Sequence, residues 1–401
     1  MSFGFDVVCF RKDVLRKGEG IFSLLHACSG KTNADARRAQ TPPVARVSRG
    51  EMEVRASRRV AALAGHLVPS SSDASSPKQW LTMPCDGGAS VAAGAVVLHP
   101  SVAEALASGG AVVALESTIV SHGMPYPQNL QMAREVEAIV RARGATPATV
   151  AIIDGVPRVG LDDTDLRRLA ELGARARKVS RRDIPAVIAR RETGATTVSA
   201  TALLAARAGV SVFVTGGVGG VHRGGETSMD VSADLTELAK TPVAVFCAGA
   251  KSVLDIPRTL EFLETQGVPV VGYGVKEFPA FFSRSSGCDA PAVADSPEQA
   301  ARAIRAAKTL GLGGCIFAVP IPEAHEATGR KVQRAIDRAL EEAKKKRVKG
   351  ADVTPFLLER VRELSGGASL EANLALVRNN AEVGADVAVA LARLAADERE
   401  A

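Results

Sequence analysis

The chain has 401 residues, of which 46% are hydrophobic and 23% are charged, and this balance excludes intrinsic disorder over most of its length. The formal net charge is +6, but residues 1–95 carry 13 basic and 8 acidic side chains, which leaves 37 basic and 36 acidic side chains for residues 96–401. A nearly neutral body with one Trp and two Tyr argues against nucleic-acid binding, and no apolar run is long enough to predict a membrane-spanning helix.

Residues 1–95 have the composition of a targeting extension, because they are rich in Arg and Ser and poor in acidic residues. Within them, the segment 59–67 resembles the internal nonapeptide that directs proteins to peroxisomes, with an Arg-Val pair five residues before His66-Leu67. On a helix, Val60, Leu63 and Leu67 would share one face. The alternatives are a mitochondrial or plastid presequence, a cytosolic protein, and initiation at Met52. We assign residues 1–95 to this extension and residues 96–401 to one folded domain.

From residue 96 onward, short apolar strands alternate with amphipathic helices. Strands that are apolar throughout indicate a sheet covered on both faces. The sequence therefore predicts a three-layer α/β/α domain with a mixed, mostly buried central sheet. The predicted strands are 111–115, 149–153, 210–214, 242–246, 268–271 and 314–319. The predicted helices are 129–143, 163–172, 199–208, 252–266, 296–310 and 323–346, with further helical pieces after residue 352, the last at 370–397.

Glu116 directly follows the first of these predicted strands. A carboxyl group at the end of an apolar strand lies partly desolvated at the sheet edge where α/β proteins bind ligands. We therefore expect its pKa to be raised, which suits a general acid or base. A helix cap or a salt-bridge partner is the alternative.

Lys251 follows the predicted strand 242–246 through a run of small residues and precedes a predicted helix. Small residues let a substrate approach, and an apolar pocket would lower the pKa of the amine and make it a nucleophile. A surface lysine at a helix start is the alternative, although a cation is unfavourable there.

A glycine-rich loop at 214–226 contains His222 and Arg223 and fits neither the dinucleotide-binding nor the P-loop pattern. Such loops commonly expose backbone amides to phosphate. Asp230 and Asp234 follow, and their oxygens suit Mn²⁺ or Mg²⁺ held with several waters, unless they are caps or solvated charges. The segments 178–183 and 194–198 lead into helices and predict anion sites.

In this order, the motifs resemble those of pseudouridine-5′-phosphate glycosidases over roughly residues 96–395. The matching segments are 114–123, 178–183, 194–198, 214–224, 230–234, 247–252, 279–284 and 369–380. The resemblance implies reversible cleavage of the C–C glycosidic bond of pseudouridine 5′-phosphate by water, which releases uracil and ribose 5-phosphate. It also implies Mn²⁺ as the cofactor and a homotrimer.

The resemblance also implies roles for individual residues. Glu116 exchanges protons to open the ribose ring, and Lys251 attacks C1′ to form a Schiff-base-type intermediate. Asn373 is the best candidate to bind uracil, with Asn379 and Asn380 as alternatives. The remaining implied positions are Lys178, Thr197 and Val198 at the phosphate end, Ser232, Ala233 and Asp234 as further substrate contacts, Asp230 as the metal ligand, and His222 as a ligand of phosphate or of a metal-bound water, or as a support of the loop.

Two other functions fit parts of the sequence less well. A sugar-phosphate kinase would need a Gly-Ala-Gly-Asp motif near the C-terminus, and residues 369–396 lack it. A non-catalytic RNA-binding module would need a basic face, which the nearly neutral body does not favour.

Overall fold

The computed structural model describes residues 95–346, 348 and 353–400. All the described residues belong to one compact unit. The predicted targeting segment, including residues 59–67, therefore lies outside the described residues.

Eleven of the thirteen strands in the described part form one large mixed sheet, in which most pairs are parallel. Its main path runs β1-β4-β3-β2-β7-β9-β13-β11-β12, and β6 joins it through antiparallel pairing with β3 and carries β5 on its other side. The β3–β4 pair is also antiparallel, and β8 and β10 form a separate antiparallel pair. The strands are β1 (Val97–Leu98), β2 (Val112–Leu115), β3 (Thr146–Ile153), β4 (Val156–Val159), β5 (Arg177–Val179), β6 (Gly194–Thr196), β7 (Val212–Val214), β8 (Val221–His222), β9 (Ala244–Cys247), β10 (Leu254–Asp255), β11 (Val270–Tyr273), β12 (Ala292–Ala294) and β13 (Cys315–Ala318).

Helices cover both faces of the sheet, which confirms the predicted three-layer architecture. One face packs against α2 and α9 to α12, and the other packs against α1, α4, α5, α7 and α8. None of the helices in the described part is long and apolar enough to cross a membrane. The helices are α1 (Pro100–Ala107), α2 (Gln128–Ala142), α3 (Asp163–Leu172), α4 (Ile184–Ala189), α5 (Val198–Arg207), α6 (Gly225–Ser228), α7 (Ala233–Leu238), α8 (Ile256–Thr265), α9 (Pro297–Thr309), α10 (Glu326–Lys345), α11 (Val353–Ser365) and α12 (Ala368–Glu400).

The C-terminal helix α12 packs against the core on one face of the sheet. Phe246 of β9 stacks on Phe317 of β13 with ring centroids 4.7 Å apart. On this face α12 crosses β2, β7 and β9, and a Cβ atom at Gly384 would lie 2.2 Å from Val214 Cγ2. A glycine at this position therefore lets the helix approach the sheet closely.

The strand register determines which residues meet at the edge of the sheet. Leu115, the last residue of β2, pairs with Val214, the last residue of β7, and Val214 pairs with Phe246 of β9. Because these strands are parallel, the segments that follow them begin side by side. This edge carries most of the chemically active residues singled out in the sequence.

Candidate active site

Glu116 is the first residue after β2, and its side chain is buried at the carboxyl edge of the sheet. Its Oε1 atom accepts a hydrogen bond of 2.5 Å from the hydroxyl of Thr215, which is the first residue after the neighbouring strand β7. Burial raises the pKa of the Glu116 carboxyl, while the ammonium group of Lys251 and the hydroxyl of Thr215 oppose that rise. The raised pKa agrees with the sequence-based expectation and suits a group that exchanges protons with a substrate.

Lys251 lies in the loop between β9 and β10, and its backbone N–H donates to the carbonyl of Val218 at 3.1 Å. The helix expected from residue 252 begins only at Ile256, because β10 comes first. Lys251 is therefore not at a helix N-terminus, and the electrostatic argument based on that position was wrong. The side chain is exposed instead of enclosed in an apolar pocket, so its amine is accessible to a substrate.

Lys178 lies in β5, and the turn that follows it leads into α4. Loss of hydration and the nearby charge of Lys251 lower the pKa of the Lys178 ammonium group. The carboxyl groups of Glu116 and Asp234 oppose that change. The structure thus brings the charges of four residues from distant segments of the chain within range of one another.

Asp234 is buried and connects two segments that the sequence analysis treated separately. Its Oδ1 accepts a hydrogen bond from the backbone N–H of Ser199, and its Oδ2 accepts one from Gly219, both at 2.9 Å. Thr197 and Val198 stand at the start of the helix that Ser199 belongs to. Asp234 therefore joins the glycine-rich loop to this helix start, and its expected contact with a substrate stays a prediction.

Ser232 and Ala233 begin α7, where the Ser232 hydroxyl accepts a hydrogen bond from the backbone N–H of Asp234 at 3.3 Å. The glycine-rich loop packs directly on them, because a Cβ atom at Gly219 would lie 2.2 Å from Ser232 Oγ. The backbone N–H groups of Val218 and Gly219 are both bonded within the protein. The expectation that the loop presents its amides to a phosphate is therefore wrong at these two positions.

Asp230 and His222 form a more open pair beside this loop. The two side chains are 53% and 26% exposed, and His222 Nδ1 lies 3.8 Å from Asp230 Oδ2. No group of three or more His, Cys, Asp and Glu side chains is arranged for a metal ion in the part of the chain that the structure describes. The expectation that Asp230 binds a metal ion stays a prediction.

The three asparagines proposed for uracil differ in how their side chains are used, and all lie on α12. Asn379 donates from Nδ2 to the carbonyl of Pro320 at 3.1 Å, and Asn380 donates to that of Thr215 at 2.9 Å. The Oδ1 atom of Asn373 is buried and has no hydrogen-bond partner among the described residues. The Oδ1 atom of Asn380 is also buried without a partner, but the amide of Asn380 already donates to the backbone of Thr215, so Asn373 is the better candidate to bind a polar ligand.

Two residues here received no role from the sequence. In the sequence, Thr215 was noted only as part of the glycine-rich loop. A single sequence does not show that the strand before Thr215 lies next to the strand before Glu116. His122 lies in a π-helical turn, Ile119–Gly123, and burial and the charge of Lys178 lower the pKa of its imidazole. A π-helical turn has no reliable sequence signal, although such turns are frequent at functional sites.

Taken together, the site combines an accessible primary amine, a buried carboxyl group and a second cation. An amine of this kind attacks electrophilic carbon, and a desolvated carboxyl group exchanges protons. The second cation, Lys178, suits an anionic group such as phosphate. This combination points to covalent chemistry on a small anionic substrate.

The chain matches the family model described as indigoidine synthase A like protein over residues 101–390. The pseudouridine-5′-phosphate glycosidase of Arabidopsis thaliana is 58% identical over 300 residues, which covers 75% of this chain and 91% of the relative. The enzyme of the same name from Sorangium cellulosum (strain So ce56) is 54% identical over 302 residues, with coverage of 75% and 95%.

Two solved structures share the fold and part of the sequence. The prealnumycin C-glycosynthase in complex with ribulose 5-phosphate superimposes with a TM-score of 0.70 at 37% identity, covering 75% of this chain and 98% of that one. An indigoidine synthase A-like protein from Thermotoga maritima superimposes with a TM-score of 0.66 at 36% identity, covering 74% and 97%.

Proposed function

The chain belongs to the family of indigoidine synthase A like proteins and pseudouridine-5′-phosphate glycosidases, and we infer from this membership that it reversibly cleaves the C–C glycosidic bond of pseudouridine 5′-phosphate. The reaction uses water and yields uracil and ribose 5-phosphate. One structural observation supports this conclusion: Glu116, Lys178 and Lys251 are close enough for their charges to influence one another's proton affinity. The C-glycosynthase bound to a pentulose phosphate supports a pentose phosphate as ligand.

The chemical difficulty is that a C–C glycosidic bond has no nitrogen through which the base departs, so simple formation of an oxocarbenium ion is unfavourable. We propose that Glu116 donates a proton to the ring oxygen of the ribose. The Nζ atom of Lys251, as the free amine, forms a bond to C1′ while the bond between C1′ and the ring oxygen breaks. The ribose is then open and covalently attached to the protein.

Cleavage of the C–C bond follows from this attachment. The carboxylate of Glu116 takes up the proton that the new C–N bond leaves on nitrogen. The nitrogen lone pair then forms a C=N bond to C1′, and the electrons of the C1′–C5 bond pass to the uracil, whose C5 takes up that proton from Glu116. Water hydrolyses the Schiff base, releases ribose 5-phosphate and returns the free amine of Lys251.

The remaining residues bind and orient the two ends of the substrate. We propose that Lys178 pairs with the phosphate and that the amide of Asn373 complements the donors and acceptors of uracil. The other proposed substrate contacts are Thr197, Val198, Ser232, Ala233 and Asp234.

Asp230 is the residue that we propose to hold one Mn²⁺ ion in each subunit. The fit rests on a half-exposed carboxylate that can share the ion with water and ligand oxygens. When bound, the ion supplies positive charge beside the phosphorylated substrate. His222 would bind the phosphate or a water of the ion, or hold the loop in position.

The full chain with Mn²⁺ is expected to release uracil from pseudouridine 5′-phosphate without ATP. Borohydride reduction in the presence of ribose 5-phosphate is expected to attach the sugar to Lys251, as peptide mass spectrometry would show. Lys251→Ala should abolish both results, and removal of Mn²⁺ by a chelator should stop uracil release. Full activity of Lys251→Ala would exclude the mechanism, and conversion of ATP to ADP without release of uracil would favour a kinase.

We further propose that the protein is a homotrimer located in peroxisomes, since the motif resemblance implies the first and the segment 59–67 suggests the second. Sedimentation equilibrium of the full chain checks the oligomeric state, for which a mass three times 41.6 kDa is expected.

A further inference from the structure

Thr215 lies between the two residues proposed to carry the reaction, although no role in catalysis has been given to it. Its hydroxyl donates to Oε1 of Glu116, and its backbone N–H donates to the carbonyl of Phe246 in β9, the strand that leads to Lys251. We propose that Thr215 is a positioning residue that fixes the Glu116 carboxylate for proton transfer, and that Asn380 holds Thr215 in place. This proposal rests on the reaction proposed above.

The Thr215–Gly216 segment is bonded on both of its sides. The Nδ2 atom of Asn380 donates to the carbonyl of Thr215 at 2.9 Å and more weakly to that of Gly216 at 3.4 Å. The carbonyl of Gly216 also accepts from the backbone N–H of Ala248 at 2.9 Å. The segment therefore cannot shift without breaking bonds to β9 and to α12 together.

Burial protects the hydrogen bond between the Thr215 hydroxyl and the Glu116 carboxylate from water. Thr215 is 2% exposed, Glu116 is 8% exposed and Asn380 is fully buried, so water does not compete for these groups. Because Thr215 occupies Oε1, the other oxygen of Glu116 is left to exchange the proton. A hydroxyl that donates to a carboxylate stabilises the ionised form of that carboxylate. Holding one oxygen of Glu116 in place also keeps the other oxygen oriented for proton transfer.

The charged groups around Glu116 come from several elements and are independent of Thr215. They are the ammonium groups of Lys251 and Lys178 and the carboxylate of Asp234. The thiol of Cys247 also faces this region, and burial raises its pKa to about 12, so it is uncharged at neutral pH. Replacing the Thr215 hydroxyl with a methyl group leaves these charges in place and removes one bond that stabilises the carboxylate.

The test compares Thr215→Val, which has nearly the same shape, with Thr215→Ser, which restores the hydroxyl. With the full chain and Mn²⁺, the limb of the kcat/KM profile that reports Glu116 should move up by about one pH unit in Thr215→Val. We expect kcat to fall at least tenfold, because the carboxylate loses its fixed position, while KM stays within about twofold. Thr215→Ser should restore both values substantially.

Thr201→Val is the matched control, because it removes a buried hydroxyl that donates to Thr196 at 2.9 Å and not to Glu116. It should change the stability and leave the pH profile in place. A normal pH limb and kcat in Thr215→Val would overturn the proposal, as would an equal shift in Thr201→Val. An inactive wild-type protein would instead reject the reaction itself.

A readout without turnover separates positioning from general damage. The ¹³C resonance of the Glu116 side-chain carboxyl, assigned by its loss in Glu116→Gln, should titrate at higher pH in Thr215→Val than in the wild type. Unchanged titration in a folded Thr215→Val protein would also overturn the proposal.

Asn380→Ala should move the same resonance in the same direction by a smaller amount, because the hydroxyl is retained but less firmly held. Asn379→Ala is its control, because that side chain bonds to Pro320 instead. An Asn380→Ala protein that titrates like the wild type would remove Asn380 from the proposal.

Discussion

Asp230 and Asp234 stand four residues apart and look alike in the sequence, yet the structure uses them in opposite ways. Asp234 is buried and both of its oxygens accept hydrogen bonds from backbone N–H groups. Asp230 is half exposed and faces His222. One carboxylate therefore supports the fold around the site, while the other remains accessible to an ion.

This difference predicts that Asp234→Asn loses about 1–3 kcal/mol of stability, because an amide N–H would face a backbone N–H donor at one of its two bonds. Asp230→Asn should change stability by no more than about 0.5 kcal/mol and should lose Mn²⁺-dependent activity. Urea unfolding of the metal-free proteins, followed by circular dichroism, measures the first effect. Equal destabilisation by the two substitutions would contradict the assignment.

How far single residues are predictable depends on whether their signal is local. Glu116 was identified because an acidic residue directly after an apolar strand is visible in the chain itself, and the structure places it in a buried position. Thr215 was missed because its importance comes from a neighbouring strand 99 residues away from Glu116 in sequence. The apolar pocket expected around Lys251 was wrong, because burial of a loop side chain depends on elements that fold over it.

At the scale of the elements, the six strands predicted from the sequence are β2, β3, β7, β9, β11 and β13. They were recognisable because strands buried on both faces are apolar throughout. The strands that were missed are short: all of them have two or three residues except β4, which has four. β4 lies next to the edge strand β1, where the apolar pattern is weaker. The start of α8 was misplaced because β10 occupies the residues before it, and a two-residue strand has no periodicity to detect.

The loop that carries Lys251 depends on Gly249, which has a left-handed backbone with φ of +86°. A Cβ atom there would lie 2.2 Å from the carbonyl oxygen of Pro279. Gly224 is a matched position, because its φ is +83° and no atom lies within 4 Å of the added Cβ. The two glycines therefore share the conformational requirement and differ in the space around them.

We expect Gly224→Ala to cost about 1–2 kcal/mol from the left-handed conformation alone. Gly249→Ala should cost about 1–3 kcal/mol more, because the loop must move away from Pro279, and it should reduce borohydride trapping on Lys251 at least tenfold. The unfolding midpoint and the trapping yield measure these effects. Similar losses in both variants would show that the contact with Pro279 has no influence.

At the scale of the whole molecule, the alternation of apolar strands and amphipathic helices predicted the three layers but not the order of the strands. The β2, β7 and β9 strands are neighbours in the sheet, although the residues that follow them, Glu116, Thr215 and Lys251, are far apart in sequence. Strand order depends on how crossover helices pack, and a single sequence holds little information about that. The motif resemblance predicted that these residues share one site, which the periodicity of the sequence could not predict.

The uneven distribution of charge also belongs to this scale, because residues 1–95 hold most of the net charge and the body is close to neutral. This distribution of charge favours a targeting extension over a surface that binds polyanions. A fusion of residues 1–95 to a fluorescent protein should therefore coincide with a peroxisomal marker in eukaryotic cells. His66→Ala should disperse it by removing the His-Leu end of the nonapeptide, whereas His26→Ala, outside that segment, should not. A wild-type fusion in mitochondria, plastids or the cytosol would reject the peroxisomal assignment and support the corresponding alternative.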